Sequence, residues 1–192
     1  MKERLSREYF DNLYAESADP WGFETSEYER EKYERTLGIL ARRGRYRNVL
    51  EVGCSIGVFT SMLAPLCDKL LAVDVSEAAV AAARERLSDS PHARVERRTL
   101  PEEMPEGPFD LIVASEVLYY WPAEVMLAAL GHFEEELAPG GALLAVHWRK
   151  ETKTYPLQGD EVHELLLEHT RFSNTTTITE PEYRLDLFED KQ

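Results

Sequence analysis

One stretch, Glu51-Val-Gly-Cys-Ser-Ile-Gly57, carries the clearest structural signal in the chain. It follows a short apolar run at 48–52 that is typical of a buried strand, and it precedes a helical pattern at 58–66. Gly53 and Gly57 permit a tight turn and let a ligand approach bare backbone. A glycine-containing turn between a strand and a helix predicts a crossover unit of a parallel sheet.

Strands and helices continue to alternate after this turn. Further strands are predicted at 69–74, 93–97, 109–114 and 142–147, and further helices at 76–87, 123–137 and 159–169. Pro139-Gly-Gly141 is predicted to end a helix and turn into the next strand. Two β-rich segments follow, at 171–179 and 183–188. The sequence therefore predicts an α/β fold with a seven-stranded, mostly parallel sheet and an antiparallel C-terminal edge hairpin.

Composition disfavours several classes of protein. The 192 residues include 22 Lys and Arg against 36 Asp and Glu, and the resulting charge of −14 disfavours a nucleic-acid partner. The apolar runs are too short to span a bilayer, and the charged N-terminal residues do not suit a signal peptide. The two cysteines are too few for a disulfide scaffold and fit a reducing compartment. Together with the five scattered histidines, they offer no zinc-ligand spacing. We expect a cytoplasmic protein with no metal site, no membrane segment and no nucleic-acid partner.

A second functional signal is Asp74, at the end of the second predicted strand. An acid about 20 residues after a glycine-containing loop is placed to accept hydrogen bonds from a ribose. The alternative is that Asp74 caps the helix that begins near Ser76. Beside the glycine loop, we favour the ribose interpretation.

The spacing G-x-S-x-G also permits a different class of enzyme. It matches the nucleophile turn of serine hydrolases, with Ser55 as the nucleophile and with Glu116 and His147 as the acid and base. A hydrolase has no use for a ribose-binding acid at Asp74, which weakens this alternative. A dinucleotide-binding site is also less favoured, because the third glycine of that motif is missing.

Four motifs together resemble class I S-adenosylmethionine-dependent methyltransferases: E-V-G-x-S-x-G, A-V-D-V-S, P-F-D-L-I-V-A-S-E-V-L-Y-Y and P-G-G-A-L-L-A-V-H-W. The N-terminal D-P-W-G-F-E-T-S-E-Y-E-R-E-K-Y and the C-terminal Y-R-L-D-L-F are similar to a narrower group, the nodulation-protein-S (NodS-like) family. The resemblance covers almost the whole chain. It implies a Rossmann-like class I methyltransferase fold, with residues 46–192 as the core and residues 1–45 as an N-terminal helical lid.

The resemblance also implies a set of cofactor-binding residues at the strand ends. Glu51 would organise the loop around the methionine part of S-adenosylmethionine, Asp74 would bind the ribose, and Val75 would lie near the adenine. The remaining positions match the turn beneath the cofactor, the adenine edge and the methyl group, and they are Gly53, Ser55, Gly57, Thr99, Leu100 and Ser115. Ser55 and Thr99 depart from the residues most common in the superfamily.

The predicted lid contributes three more candidates. Trp21 could cover the sulfonium of the cofactor by a cation–π contact, and Lys32 could pair with its carboxylate. Tyr28 neighbours Lys32 in the helix predicted at 26–37. The alternative is that these aromatic residues only dock the helix on the core.

Two titratable residues are predicted to be catalytic. An amine must be neutral to accept a methyl group, and His147 and Glu116, at strand ends, are candidates to take its proton. The other histidines, including His163, are expected to be solvated. The resemblance implies an amino acceptor on a sugar, a chitooligosaccharide or another small metabolite. A small-molecule O-methyltransferase and a non-catalytic cofactor-binding subunit remain alternatives, and the protein is expected to be a monomer or homodimer.

Overall fold

A computed structural model describes residues 2–191 of the chain. In chain order its elements are α1 (Arg7–Glu16), α2 (Glu27–Leu40), β1 (Val49–Val52), α3 (Val58–Leu63), β2 (Leu70–Asp74), α4 (Glu77–Arg86), β3 (Ala93–Arg97), β4 (Phe109–Ser115), α5 (Ala123–Glu136), β5 (Leu137–Trp148), α6 (Gly159–His169), β6 (Ser173–Thr179) and β7 (Tyr183–Glu189). These elements divide into two compact units. The first is Ser6–Arg98, and the second comprises the rest of the described chain.

The first unit contains three parallel strands and four helices. Its strands lie in the order β3-β2-β1, and every residue of β1 is buried, including Glu51 among its three apolar residues. Small residues of α4, among them Val80 and Ala83, pack with Ala72 of β2 and Val95 of β3. These small side chains let the helix lie close to the strands, which places the strand ends beside the helix starts.

The second unit contains the other four strands, in the order β4-β5-β7-β6. Strands β4 and β5 are parallel, whereas β7 is antiparallel to both β5 and β6. Seven strands, mostly parallel and ending in an antiparallel hairpin, are therefore confirmed. One boundary was wrong: α5 ends at Glu136, and the Pro-Gly-Gly segment lies within β5, where Gly140 has φ +71°.

Helix α1 was missed by the sequence analysis. Its sequence is mostly polar and its apolar stripe is short, since it consists of Phe10, Leu13 and Tyr14, of which only Phe10 is buried. The available signal was Ser6, whose hydroxyl caps the helix by accepting a hydrogen bond from the Tyr9 backbone N–H. The proposed division into a lid at 1–45 and a core at 46–192 stays a prediction. Within residues 2–191, no helix is long and apolar enough to cross a membrane.

Candidate cofactor and acceptor sites

The turn after β1 adopts the left-handed backbone that its glycines suggested. Gly53 has φ +74°, Gly57 has φ +78°, and Ser55 also takes a positive φ of +50°. A Cβ at Gly57 would lie 2.9 Å from the Ala83 Cβ, so a side chain there would collide with α4. Backbone geometry and close packing both favour glycine at this position. The turn is thus a tight loop in which Gly57 packs against α4, while Gly53 and Ser55 stay half-buried.

Asp74 connects this turn to the start of α4. Its Oδ2 accepts from the Ser55 backbone N–H at 2.9 Å, and its Oδ1 accepts from the Ser76 backbone N–H at 3.0 Å. Burial raises the pKa of Asp74, and these N–H groups, with that of Val75, act in the opposite direction. Asp74 therefore organises two loops, and its binding to a ribose stays a prediction.

The contacts of Asp74 agree in part with the alternative that it caps α4. Ser76 occupies the N-cap position of α4, yet its own side chain makes no capping hydrogen bond. Its hydroxyl instead donates to Oδ1 of Asp11 at 2.8 Å. The Asp74 carboxylate bonds to the backbone of the capping residue, so it supports the helix start indirectly.

Glu51 is a buried acid with an unsatisfied oxygen. Its side chain lies in β1 with 3% of the residue exposed, and its Oε2 has no hydrogen-bond partner among the described residues. Burial raises the pKa of Glu51 to about 8, although the nearby Thr60 hydroxyl lowers it in part. An unpaired buried acid is unfavourable in an isolated protein. A cationic group of a bound ligand would satisfy this oxygen, so Glu51 fits the role expected of it.

Lys32 lies buried in α2. Its Nζ is 2.8 Å from the Glu29 carboxylate and lies between the rings of Tyr28 and Tyr33, at 5.4 and 5.6 Å from their centroids. The ammonium is already balanced by one carboxylate. Pairing with a ligand carboxylate would therefore require Lys32 to share its charge, and this role stays a prediction.

Trp21 belongs to a row of aromatic rings. It makes an edge contact with Tyr14 at 5.8 Å and stacks on Phe23 at 5.6 Å. The row continues from Phe23 through Tyr33 to Phe59 of α3. These contacts agree with the docking alternative, in which aromatic side chains hold α2 against the strands of its own unit.

Ser55 lacks the environment of a hydrolase nucleophile. Its hydroxyl lies 2.5 Å from the Tyr14 hydroxyl, and burial raises the pKa of that phenol further above its ordinary value. A phenol of this kind does not remove a proton from serine near neutral pH. The hydrogen-bond partner of the Ser55 hydroxyl is therefore a phenol and not a histidine.

In the second unit, Thr99 and Leu100 follow β3 in the chain. The Thr99 backbone N–H donates to Glu103 at 2.6 Å, and Leu100 is buried. Arg4 donates to the Leu100 carbonyl and forms an ion pair with Glu102 at 2.8 Å. The N-terminal residues 2–5 thus help to fix the segment predicted to face the adenine.

Ser115 ends β4, and Glu116 follows it with φ +55°. Oε2 of Glu116 accepts from the Tyr119 hydroxyl at 2.6 Å and from the Trp148 backbone N–H at 2.9 Å. The Tyr119 ring stacks on Tyr155 with centroids 4.9 Å apart. A partly exposed carboxylate therefore lies beside aromatic side chains.

His147 lies near the end of β5, as the sequence predicted. It is wholly buried, its Nε2 accepts from the Leu118 backbone N–H at 3.2 Å, and its Nδ1 lies 3.2 Å from His163 Nε2. The expectation that His163 is solvated was wrong, because His163 is also wholly buried and contacts Asp186 at 2.6 Å. The neighbouring apolar residues Val162 and Leu166 were the signal for its burial. The described residues contain no cluster of metal-ligating side chains.

Comparison with known proteins identifies the family. The family model for Nodulation protein S (NodS) matches residues 7–154. Nodulation protein S of Bradyrhizobium diazoefficiens is 39% identical over 132 residues, which cover 66% of this chain and 61% of that protein. The chain spans between half and about three-fifths of the length of the first curated relatives that it matches.

Solved structures agree with this assignment. The N-methyltransferase NodS from Bradyrhizobium japonicum WM9, in complex with S-adenosyl-L-homocysteine, is 28% identical and superposes with a TM-score of 0.84 over 95% of this chain and 100% of that one. A Pseudomonas syringae protein assigned as a methyltransferase is 41% identical, with a TM-score of 0.75 over 85% of this chain and 99% of its own. The predicted Rossmann-like methyltransferase fold is confirmed, and the chain belongs to the nodulation protein S family.

Proposed function

We propose that this protein is an S-adenosylmethionine-dependent methyltransferase that N-methylates an amino group of a sugar or another small metabolite. Family membership supports the enzyme class and the cofactor that the sequence predicted. The structural observation that carries the proposal is Glu51, a buried acid with one unsatisfied oxygen at the end of β1. The amino group of the cofactor's methionine part is a cation of the kind that this oxygen lacks.

The cofactor would bind along the strand ends of the first unit. When bound, it supplies a methyl group on a positively charged sulfur. Glu51 would hold its amino group, and the Asp74 carboxylate would accept hydrogen bonds from its ribose. The backbone of Gly53, which is half-buried, allows close approach at the turn, and Gly57 shapes the turn by letting α4 pack against it. We also propose contacts from the remaining candidates, which are Trp21, Tyr28, Lys32, Ser55, Val75, Thr99, Leu100 and Ser115.

Glu116 is the proton acceptor that we propose for the amine. An ammonium cannot attack a methyl group, so its proton must leave before or during transfer. The Tyr119 hydroxyl and the Trp148 N–H hold the carboxylate of Glu116 in one orientation. The stacked rings of Tyr119 and Tyr155 offer an apolar face of the kind on which a sugar ring packs. These features support an amino sugar, and a chitooligosaccharide with a free amine is the first acceptor to test.

Calorimetry should detect binding of S-adenosyl-L-homocysteine in the micromolar range or tighter, a binding free energy of about 8 kcal/mol.

Asp74→Ala should weaken this affinity by about 1.5–3 kcal/mol, because it removes charge-assisted hydrogen bonds to the ribose. It should also reduce thermal stability, because the Ser55 and Ser76 N–H groups lose their acceptor. The control is Asp68→Ala, which removes an exposed ion pair with Arg45. Absence of binding by folded wild-type protein would contradict the proposed function, and full affinity in Asp74→Ala would contradict the ribose role.

Methyl transfer to glucosamine-terminated chitooligosaccharides and small amines should depend on Glu116. Glu116→Gln should lower kcat on the order of 100-fold, because an amide cannot take the proton, while affinity for S-adenosyl-L-homocysteine stays unchanged. Ser55→Ala should retain most of the activity, because the contact that we propose for Ser55 is through its backbone and not through its hydroxyl. Ester hydrolysis that is abolished by Ser55→Ala, in place of methyl transfer, would favour a hydrolase. Transfer only to hydroxyl acceptors would favour an O-methyltransferase, and cofactor binding with no transfer to any acceptor would favour a non-catalytic subunit.

A further inference from the structure

Three buried side chains form a continuous hydrogen-bonded chain within the second unit. Asp186 of β7 contacts Nδ1 of His163 in α6 at 2.6 Å, and Nε2 of His163 contacts Nδ1 of His147 in β5 at 3.2 Å. Nε2 of His147 then reaches the backbone N–H of Leu118 at 3.2 Å. All three side chains have 0% exposure. The far end of this chain is therefore a backbone group of the segment that follows β4.

The position of every proton along this hydrogen-bonded chain follows from the Leu118 backbone N–H at its end. A backbone N–H can only donate, so Nε2 of His147 is the acceptor and its proton lies on Nδ1. That proton is donated to Nε2 of His163, whose own proton lies on Nδ1 and is donated to Asp186. Burial lowers the pKa of His163, which agrees with a neutral ring. Both histidines are therefore neutral, and in each ring one nitrogen donates and the other accepts.

Asp186 anchors the chain at the other end. Oδ1 accepts from the amide of Asn174 at 2.8 Å and from the hydroxyl of Thr177, and Oδ2 also accepts from Arg184 at 2.9 Å. These partners and His163 lower the pKa of Asp186 to about 2, despite burial. The carboxylate is therefore charged and held by several donors, which fixes the Asp186 end of the hydrogen-bonded chain.

Three consecutive residues of β5 hold the segment that contains Glu116. The Val146 carbonyl accepts from the Glu116 backbone N–H at 2.8 Å, and the Trp148 N–H donates to the Glu116 side chain at 2.9 Å. Between them, the His147 side chain accepts from Leu118. Glu116 has a left-handed backbone, which is unfavourable for a residue with a side chain and persists only where surrounding contacts impose it. His147 supplies one of those contacts.

Gly159 explains how α6 comes near enough to complete the chain. A Cβ at Gly159 would lie 2.0 Å from the Trp148 carbonyl oxygen and 3.4 Å from the His147 Cβ. Only glycine lets α6 begin in contact with the end of β5. His163, about one turn further along α6, then meets His147.

We propose that His147 is a positioning residue for methyl transfer, held by His163 and Asp186, and that it keeps the Glu116–Leu118 segment in the geometry that presents Glu116 to the acceptor. His147 itself takes no proton from the acceptor. This inference rests on the proposed function. It assigns His147 a different role from the proton acceptor that the sequence suggested.

Two amide substitutions separate positioning from proton transfer. In His147→Gln, the side-chain oxygen can replace Nε2 as the acceptor for Leu118. In His147→Asn, the shorter amide can still donate to His163 but does not reach Leu118. We expect His147→Gln to keep kcat within a few-fold of wild type. We expect His147→Asn to lose on the order of 100-fold, because a small misplacement of a reacting group has an effect of this size. KM for S-adenosylmethionine should be unchanged in both.

Hydrogen exchange of the Leu118 amide provides a readout that needs no acceptor. The amide should stay protected in wild type and His147→Gln and should exchange faster in His147→Asn. Equal protection in both variants would overturn the inference, as would equal kcat in both. Loss of kcat in His147→Gln with Leu118 still protected would show that His147 transfers a proton. If no acceptor is methylated, the proposed function fails separately, and Leu118 exchange still decides whether His147 holds the segment. If His147→Asn does not fold, the kcat of His147→Gln alone distinguishes the two roles.

Discussion

Asp186→Ala is expected to lower the free energy of unfolding by about 3–5 kcal/mol, the usual range when one partner of a buried ionic pair is removed. The wild-type carboxylate accepts hydrogen bonds from His163, Asn174, Thr177 and Arg184. Alanine would leave these donors without their acceptor and the guanidinium of Arg184 without its counter-charge. The loss would then extend along the histidine chain to Leu118.

Denaturant unfolding at neutral pH measures this effect directly. The matched control is Glu182→Ala, which removes an exposed ion pair with Lys150 and should change the free energy of unfolding by less than about 1 kcal/mol. A change below about 1 kcal/mol in Asp186→Ala would mean that water or other groups replace the carboxylate.

The sequence shows strands better than it shows the contacts between them. Continuous apolar runs and glycine turns are local signals, so the strands and the turn at Gly53–Gly57 were found from short stretches alone. The histidine chain depends on register: β5 and β7 pair antiparallel, with Ala145 opposite Asp186 and His147 opposite Arg184. No local pattern carries that register, so the contacts of His163 with His147 and Asp186 could not be predicted from the sequence.

The candidate site also combines features that the sequence predicted with contacts that it did not. The spacing between the glycine turn and Asp74 predicted which residues gather at the strand ends. It did not predict that both Asp74 oxygens bond to backbone N–H groups, or that Glu116 is held by the backbone of Trp148. Those contacts depend on loop conformations, including positive φ at Ser55 and Glu116, that residues other than glycine rarely adopt.

Glu51→Gln is expected to stabilise the protein at alkaline pH and to weaken cofactor binding. Burial raises the pKa of Glu51 to about 8 in the folded protein, above its ordinary value of 4.5. The folded state therefore binds the proton more tightly than the unfolded state. This contribution to stability is fully present below about pH 4.5 and is lost as the pH rises through about 8. At pH 9 the difference amounts to on the order of 3–5 kcal/mol, and glutamine, which does not ionise, would avoid it.

Unfolding measured from pH 5 to 9 should show a stability of wild type that falls more steeply than that of Glu51→Gln. Glu31→Gln, an exposed substitution in α2, should leave the wild-type curve in place. At pH 8, Glu51→Gln should bind S-adenosyl-L-homocysteine about 10- to 100-fold more weakly, because it loses a charged hydrogen bond to the ligand's amino group. The binding of that amino group would favour the ionised acid, so wild-type affinity should rise between pH 6 and 8 while the affinity of Glu51→Gln stays nearly constant. Parallel stability curves for the two proteins would show that burial of the ionised acid does not destabilise the fold. Equal affinities at pH 8 would show that the ligand does not use the acid. An acid that makes the free protein less stable and is satisfied only by a bound ligand is the arrangement expected of a binding site, since a purely structural position would favour glutamine.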